Sequence, residues 1–174
     1  MIITTDGIVV TSHHVVDSRD YAYSVETTDG SVYMVEVLYQ DSINDISYLR
    51  MLTEKSDKKI FEIVPIAHEN RLKKNDIILS FDASGDVGKR ATTFGQVKSL
   101  GETIKIDDDS EKVLKNLIKS DIRLEPGSSG GPIIDMSGDI VGINTAYINQ
   151  GEKQGWHTPL TQEKIQKFLD HIDQ

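Results

Sequence analysis

Apolar residues in this chain fall mostly in short runs cut by polar turn residues. Residues 8–12 are apolar and β-branched and follow the turn dipeptide Asp6-Gly7. Tyr21, Tyr23 and Val25 alternate with smaller or polar residues. Thr28-Asp29-Gly30-Ser31 then turns the chain into the strand-like run 32–39, so this pair predicts a hairpin. Runs 46–51, 60–66 and 77–81 continue the pattern, with Lys73-Lys74-Asn75-Asp76 as a polar connection. Residues 92–100 and 113–124 are further strand candidates. In the latter, Val113, Leu114, Leu117 and Ile118 also fit helical spacing. Ile133-Ile134 and residues 140–147 flank Ser137-Gly138 and predict a second hairpin.

The end of the chain changes period. Ile165, Phe168, Leu169 and Ile172 fall at i, i+3, i+4 and i+7, one apolar stripe of a helix. Thr161 stands at the N-cap, with Gln162 and Glu163 in the first turn and Pro159 just before it. Many short strands and one terminal helix predict an all-β fold, a barrel or sandwich closed by that helix.

Composition narrows the function. The 174 residues suffice for one good core or two small barrels sharing an interface. A net charge of −9 argues against a nucleic-acid partner, because no basic stripe exists to displace counterions from phosphate. No apolar run reaches the length of a membrane span. The first residues lack the basic region and long apolar core of a signal peptide, which predicts a cytoplasmic protein or an excised exported domain. There is no cysteine, so disulfides contribute nothing and the compartment stays open.

Three stretches carry candidate chemistry. Glu125-Pro126-Gly127-Ser128-Ser129-Gly130-Gly131-Pro132 sets a serine in a glycine-rich bend, which suits a nucleophile whose neighbouring N–H groups face a developing oxyanion. Thr11-Ser12-His13-His14 places two histidines at the end of an apolar strand. Adjacent strand residues point to opposite faces, so the pair is a poor chelate for one metal ion, leaving strand-end histidines or a general base. Asn44-Asp45, before the run 46–51, is a turn aspartate or a carboxylate aimed at a histidine. Gly85-Asp86-Val87-Gly88-Lys89 is no phosphate loop, because Ala83 stands where the first glycine is needed and Arg90 replaces the hydroxyl residue. The acidic run Asp107-Asp108-Asp109-Ser110-Glu111 lacks the glycine and spacing of a calcium loop.

Histidine, aspartate and serine occur in the chain order of chymotrypsin-type enzymes, and their surroundings resemble HtrA-like (DegP-like) serine proteases. Thr11-Ser12-His13-His14-Val15-Val16 resembles Thr-Asn-Ala-His-Val-Val, and Asn44-Asp45-Ile46-Ser47-Tyr48-Leu49 resembles Thr-Asp-Ile-Ala-Leu-Leu. Residues 121–132 are similar to a segment ending in Asn-Pro-Gly-Asn-Ser-Gly-Gly-Pro, and residues 138–146 to Gly-Glu-Val-Ile-Gly-Ile-Asn-Thr-Ala. The resemblance implies two six-stranded antiparallel β-barrels of the trypsin and chymotrypsin type, one over 1–66 and one over 67–174 with the terminal helix. It also implies a serine endopeptidase of protein quality control acting on unfolded or extended polypeptides, with no metal and no cofactor.

Residue by residue, the resemblance makes His14 the base, Asp45 its orienter and Ser129 the nucleophile. Gly127 and Ser129 N–H groups would form the oxyanion hole. Thr145 falls where this fold can hydrogen-bond the catalytic aspartate, and Thr145, Ala146 and Tyr147 would be the edge segment that pairs with substrate backbone. Leu124 and Asn144 would line the specificity pocket with Trp156 and His157 near its base, which favours small or medium aliphatic side chains. Arg123 is expected to face solvent. Only five residues precede Asp6-Gly7, so the first barrel is expected to lack about one strand. The competing expectation is a latent or inactive peptide-binding module of the same fold. The oligomeric state is left open.

Overall fold

The computed structural model describes residues 1–53, 59–82, 91–105, 113–147 and 154–172. The phosphate-loop-like stretch and the acidic run lie outside these residues. The chain forms β1 (Ile8–Thr11), a 3-10 turn (His13–Val15), β2 (Ser24–Glu26), β3 (Val32–Asp41) and β4 (Ile46–Met51). After a long connection come β5 (Ile77–Asp82), β6 (Ala91–Lys105), β7 (Val113–Ser120), β8 (Pro132–Asp135), β9 (Ile140–Tyr147), β10 (Gly155–Pro159) and the helix α1 (Gln162–Ile172).

The first four strands make an antiparallel sheet in the order β1-β4-β3-β2, and the other six close into a barrel, β10-β7-β6-β5-β8-β9. Met1 to Ile3 extend the first sheet beyond β1, through Val10 N–H to Met1 O at 2.8 Å and Ile3 N–H to Ile8 O at 2.8 Å. Among the described residues this half is an open sheet of four strands plus a short flanking segment, where about five strands of a barrel were expected.

Burial follows the two-residue period of the strands. On β4, Ile46 and Tyr48 face the second barrel, joining Ile8, Val10, Ile140, Ile143, Leu160 and Phe168 in one buried cluster. Leu49 and Met51 face the other way, with Val9, Val16 and Phe61. Both faces of the sheet are covered here, so every residue of β4 except Arg50 is buried, Ser47 included. The second barrel is filled by its own cluster, including Ile78, Val97, Ile118, Ile122 and Ile133.

The helix closes the junction. Thr161 Oγ1 accepts Lys164 N–H at 3.3 Å as the predicted cap. Phe168 stacks on Tyr48 with ring centroids 3.9 Å apart and 6° between planes. Such a pair adds about 0.5–1.5 kcal/mol beyond its buried area.

One expectation fails, one ambiguity is settled and one strand was missed. Residues 60–66 form no strand: only Ile66 makes an isolated bridge, to Ile140, while Phe61 is buried and Ile60, Ile63 and Val64 are exposed. An apolar run without alternation marked a linker that buries one ring. Residues 113–120 are strand, so pairing with β6 overrides their helical spacing. The strand β10 was not expected, because a glycine, a tryptophan, a histidine and a proline in five residues carry little β pattern. It forms because all five residues are buried between β7 and β9.

Candidate active site

The first sheet supplies a histidine and a carboxylate through two turns. β1 ends at Thr11, and His14 sits in the 3-10 turn that follows rather than on the strand. Alternation of strand faces therefore does not separate His13 from His14. Asp45 closes the four-residue loop between β3 and β4, where Asp41 pairs with Ile46. Asp41 Oδ1 accepts the N–H groups of Ile43 at 2.9 Å and Asn44 at 3.0 Å, and Asp41 Oδ2 accepts Asn44 Nδ2 at 2.7 Å. This brace brings Asp45 to a φ of 51°. The left-handed region costs a non-glycine residue about 1–2 kcal/mol, and aspartate tolerates it better than most.

Asp45 is fully buried and aims its carboxylate at His14. His14 Nδ1 lies 3.0 Å from Oδ1 and 2.9 Å from Oδ2, and His14 N–H donates to Oδ1 at 3.1 Å. A carboxylate only accepts, so Nδ1 carries the proton and Nε2 of the neutral ring is free to take one. The His14 side chain is 36% exposed, open on the side away from Asp45.

The second barrel supplies the serine bend between β7 and β8. Ser128 N–H donates to Glu125 O at 3.1 Å, and Gly127 has a φ of 91°. With Pro126 before it, this is a type II turn, which needs positive φ at its third residue. Ser129 follows, half-buried. Gly130 has a φ of 79°, and a Cβ there would run into Thr11 Oγ1 and the Ser12 backbone. Only glycine lets the bend lie this close to the strand that leads into His14.

One carbonyl ties the two turns together: Asn144 O accepts Gly130 N–H at 2.8 Å and Ser12 Oγ at 2.8 Å. Among the described residues, the N–H groups of Gly127 and Ser129 have no protein acceptor, and no hydrogen bond joins Ser129 to His14. Such a bond is often long before substrate arrives.

The remaining residues expected at the site divide. Leu124, Asn144 and His157 are buried, the last two without solvent-accessible surface. They stand behind the serine bend rather than presenting side chains to a cleft. Thr145 does not bond Asp45: its hydroxyl meets Thr158 Oγ1 at 2.7 Å and accepts Thr158 N–H at 3.1 Å. Thr158 Oγ1 in turn donates to Asn44 O at 2.9 Å, so the link reaches the aspartate loop one residue early and through β10. Ala146 and Tyr147 pair by backbone with Trp156 and Gly155. The opposite edge of β9 beyond Asn144 has no partner strand among the described residues. Arg123 faces solvent, paired with Glu125 at 2.9 Å.

Sequence reasoning missed Asp41, Ser80, Ser120 and Thr158. For Asp41 there was a usable signal, an aspartate three residues before Asn44 in a turn. Single hydroxyl residues on strands give none.

A closed barrel and a second sheet meeting at a histidine, an aspartate and a glycine-bracketed serine define the chymotrypsin-like architecture. A family model described as trypsin-like peptidase domain matches residues 1–143, and the chain belongs to that family. It is similar to Serine protease Do-like HtrA of Bacillus subtilis, 26% identical over 148 residues, covering 84% of this chain and 32% of that protein. It is also similar to a Probable periplasmic serine endoprotease DegP-like of Brucella suis, 30% identical over 148 residues, covering 85% of this chain and 27% of that protein. The chain thus spans about a third or less of the length of these relatives. Among solved structures, the MamO protease domain from Magnetospirillum magneticum in its apo form superposes with a TM-score of 0.77 at 24% identity, covering 98% of this chain and 85% of that one. The HtrA-type protease AlgW with decapeptide has the same TM-score at 20% identity, covering 99% and 50%.

Proposed function

We propose that this chain is a serine endopeptidase that cleaves extended polypeptides through an acyl-enzyme. The observation that carries the proposal is the buried Asp45 carboxylate held on His14 Nδ1, which leaves Nε2 as a base beside the Ser129 bend. Ser129 Oγ attacks the peptide carbonyl while Nε2 takes its proton. His14 then returns that proton to the leaving amine, and water, activated by the same nitrogen, releases the acyl group. The free N–H groups of Gly127 and Ser129 suit the oxyanion, where one donor typically contributes about 3 kcal/mol.

The open edge of β9 suits a substrate segment in extended form. Burial pushes the His157 imidazole down to about 3, so it offers no positive charge to an acidic side chain.

Labelling with a fluorophosphonate tests the proposal. Ser129 in the folded protein should react at neutral pH, and Ser129→Ala should lose both labelling and hydrolysis while retaining peptide binding. Absence of labelling would instead favour a latent peptide-binding module, a reading motivated by the missing Ser129–His14 hydrogen bond.

A further inference from the structure

We propose that Asn144 is a positioning residue for Ser129, holding both peptide groups that flank the nucleophile while Ser120 and His157 hold Asn144. The inference rests on the assignment of Ser129 as nucleophile and concerns side chains that would otherwise count only as pocket lining.

The main chain of Asn144 holds the following peptide: its carbonyl accepts Gly130 N–H at 2.8 Å. Its side chain holds the preceding one: Nδ2 donates to Ser128 O at 3.3 Å and to Ser80 Oγ at 2.8 Å. Ser128 O also accepts Gly131 N–H at 3.0 Å. In a trans peptide the C=O and N–H point in opposite directions. Drawing Ser128 O into the barrel therefore turns Ser129 N–H outward, toward the place where an oxyanion would form.

This works for one orientation of the amide only. Ser128 O accepts and cannot donate, so a flipped Asn144 would set two oxygens against each other. His157 prevents the flip. Its Nδ1 lies 2.9 Å from Asn144 Oδ1, and its Nε2 lies 2.7 Å from Ser120 Oγ. Burial keeps the ring neutral. With Nδ1–H donating to Oδ1, Nε2 accepts from the Ser120 hydroxyl, whose oxygen accepts Ile122 N–H at 3.2 Å. Every bond in this chain has one donor and one acceptor. Ser80, Ser120, Asn144 and His157 all have no exposed surface. In so dry a site a satisfied network stiffens what it touches, and an unpaired member is costly.

His157→Leu removes the donor to Asn144 and should lower kcat by about 100-fold, the scale of losing or misplacing one oxyanion donor, with KM changed less than about twofold. His157→Asn places an amide nitrogen near the position of Nδ1 and should recover most of the loss. A purely structural role predicts no such split and no such rescue. Nitrogen NMR should find the His157 ring as the neutral Nδ1–H tautomer between about pH 5 and 9. The Ser129 amide resonance should move in His157→Leu and return in His157→Asn. Ser120→Ala, a gentler change that loosens the ring by removing the donor to Nε2, keeps the test available if the leucine variant does not fold, and should move the Ser129 amide resonance in the same direction by less.

An Nε2–H tautomer in the wild type, or a Ser129 amide unmoved by the variants, overturns the proposal. So does a loss confined to KM. The NMR measurements need no turnover, so a wild type inert to fluorophosphonate would end the protease assignment while the amide shifts still decide whether Asn144 positions the bend.

Discussion

The two halves of the molecule each present a histidine in opposite surroundings. In the open first sheet, His14 lies at the surface on a short 3-10 turn and is oriented by a buried carboxylate. In the closed second barrel, His157 is fully buried and meets only uncharged partners, Ser120 and Asn144. In the proposed mechanism His14 is the base, which must reach substrate and change its protonation, and so needs one exposed face and a counter-charge behind it. A brace must do neither, and burial among neutral groups keeps it in one state. The open sheet accordingly holds its aspartate with a strained, capped loop. The barrel, whose six strands close on one another, holds its serine with a network running through its interior.

The contrast can be broken most severely at the carboxylate. Asp45→Asn should lower kcat by about 10⁴-fold, because an amide can donate to Nδ1 and stabilise the wrong tautomer. Steady-state cleavage of an unfolded protein measures this, and a loss below tenfold would mean that Asp45 does not orient His14.

The next effect separates the histidines by pH. Folding pushes the His157 imidazole down to about 3, whereas an unfolded chain protonates near 6.5. As pH falls through this window the unfolded state binds the proton first. Stability should drop by up to about 1.4 kcal/mol per pH unit from this group, and be fully present above the window. Urea melts between pH 7 and 4 should show the slope, and His157→Asn should flatten it. An unchanged slope in that variant would place the acid sensitivity elsewhere.

The smallest effect lies at the seam. Thr158→Val strips the hydroxyl that joins Thr145 of the barrel to Asn44 O of the aspartate loop. Leaving those groups unpaired should cost about 1–2 kcal/mol in thermal or urea melts, with kcat reduced by a few-fold. A fall in stability with kcat untouched would show that the two halves set their catalytic groups independently.

Much of this architecture was legible in advance. Short apolar runs bounded by turns, such as 46–51, became strands, the 3.6-residue stripe became α1, and Thr161 capped it. These features depend on neighbours in the chain, so local pattern is enough to find them. The chain order of His14, Asp45 and Ser129, with their local contexts, pointed to the right fold and to the His14–Asp45 pair. The pattern failed where the deciding contact is distant. β10 is a strand because of β7 and β9, and residues 60–66 are not a strand because only Ile66 finds a partner, in an isolated bridge to Ile140.

The same division holds at the site. By itself the sequence singled out His14, Asp45 and Ser129 as candidates and set glycines around Ser129, since side-chain type and backbone permissiveness are properties of single residues. Only the tertiary structure decided that Asp45 is buried in a left-handed turn, that Thr145 reaches the aspartate loop through Thr158, and that Asn144 holds the serine bend. Those outcomes depend on which donors meet which acceptors once residues more than a hundred positions apart, such as Ser12 and Gly130, donate to one carbonyl, that of Asn144. Hydrogen bonds are short and directional, so no periodicity along the chain encodes them.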